Sequence, residues 1–310
     1  MGRHGVRSSW DDVPPTIRDA LDDLLGAEVT LTEPLAGGFS PGPAVRATLS
    51  DGDTVFIKAA GTSLNPHSPA MHRREGHVLA GLPSFVPSPS LRGVVDDDDW
   101  VALAVEWVDG RHPAPSDPDD LDRVLGLLHE MADLTDGIEI GGVEPLAATH
   151  PDLFDHWCLL AGDAPAGLDE WSRRHAERLA EVDRHAAEAS VGSHLAHVDV
   201  RTDNLLLASD RDVLVDWPGA SFGAPWVDLA TLLPALHLDG GPPPGDVFDS
   251  TSLGRKADPE AVDAFVVSLA GYFTRMSLLP APPGLPTLRG FQAAQGVIAR
   301  RWVAERLDLD

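Results

Sequence analysis

The residues best placed to do chemistry lie in His194-Leu-Ala-His197-Val-Asp199-Val-Arg201-Thr-Asp203-Asn204-Leu-Leu-Leu207, followed by Val213-Leu-Val-Asp216-Trp217. The pattern is His-x-Asp-x-x-x-x-Asn, with a second aspartate shortly afterwards on an apolar run. Phosphoryl transfer to an alcohol needs a carboxylate beside the attacking hydroxyl. It also needs oxygen ligands that hold magnesium against the charge building on the phosphates. Asp199 fits the first need, and Asn204 with Asp216 fits the second. Three unrelated surface residues seldom fall at this spacing between apolar strands. The pair His194 and His197 hints at zinc, but no matching Cys or His cluster follows. His197 otherwise reads as a satisfied core histidine supporting the loop.

A fourth candidate comes from composition. Of the 23 basic residues only two are lysines, Lys58 and Lys256. Lys58 sits in the apolar, strand-like run Thr54-Val-Phe-Ile-Lys-Ala-Ala60, where a compact ammonium fits a narrow phosphate site better than a broad guanidinium fork. A strand-end lysine reaching solvent is the other reading of that position.

The elements that must position these groups follow from periodicity and turn chemistry. A helix is expected over 14–25 with Ile17, Ala20, Leu21, Leu24 and Leu25 on one face, closed by Gly26. Strands follow near 28–35 and 44–49 around the glycine-rich turn Gly37 to Gly42, and then comes the Lys58 strand. A helix over 70–82 turns Met71, Val78, Leu79 and Leu82 inward and carries Glu75. Strands at 91–95 and 100–106 are joined by the solvated run Asp96 to Asp99. Beyond Pro113 the pattern turns helical, near 117–135, 152–161, 169–189, 224–237, 258–278 and 287–307, with short strands at 205–207 and 212–215. Gly240 to Asp246 and Pro280 to Pro286 read as loops. The change of pattern divides the chain into an N-terminal nucleotide-binding lobe, 1–107, a hinge, 108–113, and a helical C-terminal lobe, 114–310, that carries the catalytic loop and the substrate site.

In order and spacing these motifs resemble the aminoglycoside-phosphotransferase family, itself similar to protein kinases, over nearly the whole chain. The resemblance implies an α+β, bilobal protein-kinase-like fold: an antiparallel N-lobe sheet with one main helix, and a larger, mostly helical C-lobe. It implies ATP and Mg2+ as cofactors. Gly37, Gly38, Phe39 and Ser40 would cover the phosphates, and Lys58 would bind them, held by Glu75. The Glu106 carbonyl and the Val108 N–H would meet the adenine edge. Asp199 would be the catalytic base, Asn204 and Asp216 the metal ligands, with His197 and Asp228 supporting the catalytic loop. Val198 stands where the family usually has glycine, and Arg201 where a histidine is common. Neither departure removes a ligand, and Arg201 is open to two uses, binding a phosphate or pairing with Asp203. Only twelve residues separate Asp216 from Asp228, too few for an activation loop, and no Ala-Pro-Glu follows, which argues against peptide substrates.

The bulk numbers narrow the substrate and partners. With 49 acidic residues and a formal charge of -26, the chain would repel a nucleic-acid backbone. No apolar stretch is long enough to span a bilayer, no signal-peptide core follows Arg3 and Arg7, and the single Cys158 fits a reducing cytoplasm. The acid excess either keeps the protein soluble or lines a cleft for a cationic acceptor. In the resemblance the acceptor site falls within 150–190 and 255–310, where Asp152, Asp155, Glu260 and Glu305 could hold ammonium groups. The expected reaction moves the terminal phosphoryl group of ATP to a hydroxyl of a small, cationic molecule: an aminoglycoside or other antibiotic, or an amino sugar. The alternatives are a kinase of a neutral metabolite or macrolide, and a catalytically silent nucleotide-binding module.

Overall fold

The computed structural model describes residues 7–35 and 41–310. Gly37, Gly38, Phe39 and Ser40 lie outside them.

Helix α1 (Pro15–Leu25) starts with a proline in its first turn and stops at Gly26, whose φ of 72° only glycine adopts without cost. Ile17 and Leu21 bury its inner face against a five-stranded antiparallel sheet. The sheet comprises β1 (Val29–Pro34), β2 (Ala44–Leu49), β3 (Thr54–Gly61), β4 (Leu91–Asp96) and β5 (Trp100–Glu106), in the order β1-β2-β3-β5-β4. Helix α2 (Ser68–Gly81) crosses the opposite face between β3 and β4 in sequence. Its buried stripe is His72, Glu75, Gly76, Val78 and Leu79. Met71, expected inward, lies at the edge of that stripe and is 52% exposed. The aspartate run is a turn, as its charges require, and it is also an anchor. Arg73 on α2 grips the Asp96 carboxylate with two N–H donors, at 2.6 and 2.7 Å, and the Asp98 carbonyl at 2.9 Å.

After β6 (Gly110–Arg111) come α3 (Pro118–Leu134), α4 (Leu146–Thr149), α5 (His156–Gly162), α6 (Glu170–Asp183) and α7 (Ala186–Ala189). The long helix expected over 169–189 is two helices, because Asp183 turns inward and accepts the Trp157 N–H at 2.9 Å. The helix expected from 152 begins at His156. A one-turn 3-10 helix at Pro151–Leu153 and a left-handed Asp155 precede it. Four short strands follow: β7 (His194–Ala196), β8 (Leu205–Ala208), β9 (Asp212–Leu214) and β10 (Ser221–Gly223). The chain ends in α8 (Val227–Leu238), α9 (Pro244–Ser250), α10 (Ser252–Lys256), α11 (Pro259–Ser277) and α12 (Leu288–Leu307). The proline run read as a loop therefore opens α9, since proline is tolerated in a helix's first turn. Among the described residues no helix is long and apolar enough to cross a membrane.

Two apolar cores divide the sheet's faces. One joins α1 to Val45, Ala47, Leu49, Val55, Ile57, Ala59, Ala102 and Ala104. The other takes Val101, Leu103 and Val105 from the opposite face, Val78 and Leu79 from α2, and continues into the C-terminal helices. The fold is therefore mixed α+β, an antiparallel sheet joined to a mostly helical second part, and the α2 face of the sheet looks toward that part.

Candidate active site

Strand alternation decides where Lys58 points. Val55, Ile57 and Ala59 face α1, so Lys58 emerges on the α2 face, in register with Leu103 on β5 and Ala44 on β2. Helix α2 comes close because Gly76 has no side chain: a Cβ there would lie 2.7 Å from Val94 Cγ2. One residue earlier Glu75, 3% exposed, forms an ion pair with the Lys58 ammonium. Asp216 forms a second at 2.6 Å. Burial alone would strip Lys58 of its charge, yet the two carboxylates outweigh it and hold its pKa above the usual lysine value. Burial likewise opposes the charge on Asp216, but Lys58 and then Arg201 keep that carboxyl well below the usual range. For Glu75 burial wins over Lys58, and its pKa rises to about 7.

The strands β7 and β10 pair antiparallel, and so do β8 and β9. Residues 197–204 and 215–220 are the loops between these short strands, so the two loops are brought side by side. The Val215 N–H donates to the Asn204 carbonyl at 2.9 Å, and the His197 ring donates from Nε2 to the Val215 carbonyl at 3.0 Å. His197 also stands edge-on to Trp217, ring centroids 4.7 Å apart. Asp228, in the first turn of α8, accepts the N–H groups of His197 and Val198, both at 2.8 Å. Burial raises its pKa, while His197 and those two N–H groups pull the other way. Val198 sits at φ 70° and so does Asp216. The conformation explains why glycine suits position 198, and valine there is held against its preference.

The Asp199 carboxylate meets Arg201, whose Nη1 donates to both oxygens at 2.6 and 2.5 Å. Arg201 Nε donates to Asp203 at 2.9 Å. Of its two expected uses the structure therefore shows the pairing, extended to Asp199. Burial works against its charge, and Asp199 and Asp203 hold its pKa above the ordinary arginine value. Asn204 donates its side-chain amide to the Asp199 carbonyl at 2.8 Å. Lys58, Glu75 and Asp216 thus meet at one point, and Asp199, Arg201 and Asn204 at a second, joined through the paired loops.

Several contributors carried no signal in the sequence. Arg74, next to Glu75, donates to the carbonyls of Pro218 and Ala220 at 2.7 and 2.8 Å, and His150 donates to that of Gly219 at 2.6 Å. These contacts fix the segment that carries Asp216, but backbone carbonyls leave no pairing pattern to read. At the end of β5 the Glu106 side chain is taken by Arg211 at 2.6 Å and its N–H donates to the Ser90 carbonyl at 2.9 Å. Val108 packs with Ala208 and Val213, and with the half-buried Leu206 and Val215, to form an apolar floor beside the hinge. His194 and His197 face different partners, Asp136 and Val215, so the zinc hint finds no support. Asp216 and Asn204 would both offer oxygen ligands, which suits a hard cation. One carboxylate and one amide would leave most of its ligand sphere to phosphates and water, as magnesium prefers.

The acceptor side differs from expectation. Tyr272, the chain's only tyrosine, lies on α11 within electrostatic reach of Asp199, Arg289 and Asp152. Burial raises its pKa, Asp199 adds to that, and Arg289 opposes it. Glu260 is twelve residues away at the other end of α11, about 18 Å along the helix axis. Glu305 lies on the last turns of α12 beside Gly245. Of the four acids named from sequence, Asp152 is the one within electrostatic reach of the tyrosine, while Asp155 stands just before α5 in a left-handed conformation.

The model of the phosphotransferase enzyme family matches residues 32–265. The fold is similar to that of a choline/ethanolamine kinase family protein from Mesorhizobium loti, at 19% identity over 94% of each chain and a TM-score of 0.55. It is also similar to the amicoumacin kinase hAmiN, at 12% identity over 93% of each chain and a TM-score of 0.55. A third likeness is an aminoglycoside phosphotransferase from Alicyclobacillus acidocaldarius, at 16% identity, with 90% of this chain and 92% of that one covered and a TM-score of 0.51. No curated protein matches the chain in sequence.

Two outcomes follow from this geometry. Val198→Gly should raise stability by about 1 kcal/mol in urea denaturation, because a β-branched residue gives up its left-handed conformation. An unchanged or lowered midpoint would show that position 198 is relaxed. His72, 4% exposed on α2, is held neutral by burial and then by Lys58, which depress its pKa from 6.5 to about 3. Between those values the unfolded chain binds the extra proton, so stability falls as pH drops from 6.5 toward 3. The wild type should lose about 1.4 kcal/mol more per pH unit than His72→Leu between pH 6 and 4. Parallel urea-midpoint profiles would show that His72 does not resist protonation in the fold.

Proposed function

The chain belongs to the phosphotransferase enzyme family, and from that premise we propose that it moves the terminal phosphoryl group of ATP, with magnesium, to a hydroxyl of a small, cationic molecule. An aminoglycoside or other antibiotic, or an amino sugar, is the acceptor class in view. The carrying observation is the meeting of Lys58, Glu75 and Asp216 beside the loop that presents Asp199, Arg201 and Asn204.

In this reading the hinge backbone at Glu106 and Val108 receives adenine above the floor formed by Leu206 and Val215. Lys58 binds the phosphates, and Glu75 keeps its ammonium in place. Asn204 and Asp216 hold magnesium, which when bound neutralises charge on the phosphates. Use of a nucleotide with a divalent ion is in keeping with the amicoumacin kinase, whose structure contains AMP-PNP and Ca2+. Asp199 orients the acceptor hydroxyl and takes its proton as the new O–P bond forms and the bond to the bridging oxygen of ADP breaks. Arg201 holds the Asp199 carboxylate in one orientation, and Asp228 and His197 hold the loop beneath it. A division into a nucleotide lobe, 1–107, a hinge, 108–113, and a substrate lobe, 114–310, goes with this reading. The half-buried single cysteine and the need for ATP support a cytoplasmic setting.

One observation favours a second reading of the acceptor. Arg289 lies close enough to Tyr272 to influence it, so the wall facing Asp199 carries a cation as well as Asp152. A neutral or zwitterionic alcohol suits that wall as well as a polycation does.

The test is magnesium-dependent ADP release across aminoglycosides, amino sugars, amino alcohols, macrolides and neutral sugars, with Asp199→Ala beside the wild type. Turnover should fall at least about a hundredfold in Asp199→Ala while ATP still binds. Near-normal turnover in that variant would reject Asp199 as the base, and ATP binding without ADP release for any acceptor would favour a silent module. Asp216→Ala should abolish the magnesium-dependent part of nucleotide binding in calorimetry; unchanged binding would assign the metal elsewhere.

A further inference from the structure

The segment ahead of α1 runs alongside the start of β2. The Ser8 N–H donates to the Pro41 carbonyl at 2.9 Å, and Arg7 Nη1 donates to the Gly42 carbonyl at 3.3 Å. Gly42 in turn presses on β3, where a Cβ would lie 1.8 Å from the Ala59 carbonyl oxygen. Arg7 is therefore bonded to a residue that packs directly on Ala59, the neighbour of Lys58. Its half-buried guanidinium lies within electrostatic reach of Asp216 and of His72. Burial works against its charge and Asp216 in its favour, and a guanidinium remains protonated through such an opposition.

His72 supplies the second observation. It is buried, stands one turn before Glu75 on α2, and its Nε2 has no hydrogen-bond partner among the described residues. A buried polar nitrogen without a partner is costly, and such groups mark places where a ligand completes the structure. Lys58, Arg7 and this neutral imidazole all lie around Asp216, whose Oδ1 is already engaged by Lys58. Two cations and an unpartnered imidazole nitrogen gathered about a single carboxylate suit an incoming group rich in oxygens. A planar guanidinium can meet two oxygens of a phosphate at once.

We propose that Arg7 is a phosphate-contacting residue, closing the polyphosphate site from the side of β2 with His72 beneath it. The proposal rests on the kinase reading above, yet Arg7 lies ahead of the family match, which begins at residue 32. It therefore adds to that match a cation contributed by the preceding segment.

Calorimetry with adenosine, ADP and ATP, each with magnesium, tests it on the wild type, Arg7→Ala and Arg7→Gln, with melting temperatures alongside. Loss of a charge-assisted contact should weaken ADP and ATP by about tenfold in both variants and leave adenosine unchanged. Equal weakening of adenosine and the phosphorylated ligands would mark Arg7 as a strut for the fold and overturn the proposal. So would variants that bind ADP and ATP as the wild type does. A wild type that binds none of the three would instead sink the kinase reading itself.

Discussion

One buried cation between two carboxylates holds the parts of this protein that matter for chemistry in a fixed relation. Lys58 comes from a sheet strand, Glu75 from the helix that crosses it, and Asp216 from a loop more than 150 residues further along the chain. Each charge would be costly to bury alone, and each is tolerated because the other two are present. Removing Lys58 would leave the buried Glu75 without a cation, so the triad ties the sheet, α2 and the C-terminal loop together. In the proposed reading a polyphosphate site gains from this, because its groups are already gathered before anything binds.

The loops themselves are held against local preference. A valine and an aspartate in the left-handed region each cost on the order of 1–2 kcal/mol, more for the β-branched residue, and such conformations persist where the surroundings over-determine them. Here the surroundings are explicit. The Asp228 carboxylate takes two successive N–H groups at the start of the loop, where the N-terminal end of α8 favours its negative charge. Arg74 and His150 take three successive carbonyls of the other loop from α2 and from the end of α4. The valine at 198 thus leaves the loop in the shape a glycine would take, at the expense of stability.

Much of this was legible in the sequence because it rests on local patterns. Apolar alternation located β3 and its lysine, spacing located Asp199, Asn204 and Asp216, and helical periodicity located α1, α3, α8, α11 and α12 to within a few residues. The strands β7 and β10 were not legible. Each is three residues long, too short for any period, and their pairing joins segments more than twenty residues apart. Met71 misled because an apolar residue at the margin of a stripe has the same spacing as one inside it. The acids offered for the acceptor rested on composition, which has no direction, and Glu260 stands about 18 Å along α11 from Tyr272.

The division of labour between arginine and lysine follows from the same contacts. Among the described residues several arginines act as struts to carboxylates, Arg73 to Asp96, Arg111 to Asp120 and Arg123 to Asp212 with two donors, and Arg211 to Glu106 and Arg306 to Asp263 with one. Their planar donors suit a partner approached edge-on at the surface. Position 58 is different, since two carboxylates approach it from separate elements and a third direction must stay open for a ligand. A single ammonium can donate three ways from one point, whereas a fork would be fully used by one carboxylate. The strongly acidic composition therefore does not describe the crevice. There Lys58, Arg74 and Arg201 stand among Glu75, Asp199, Asp203 and Asp216, so charges of both signs are interleaved, unlike the acid excess of the chain as a whole.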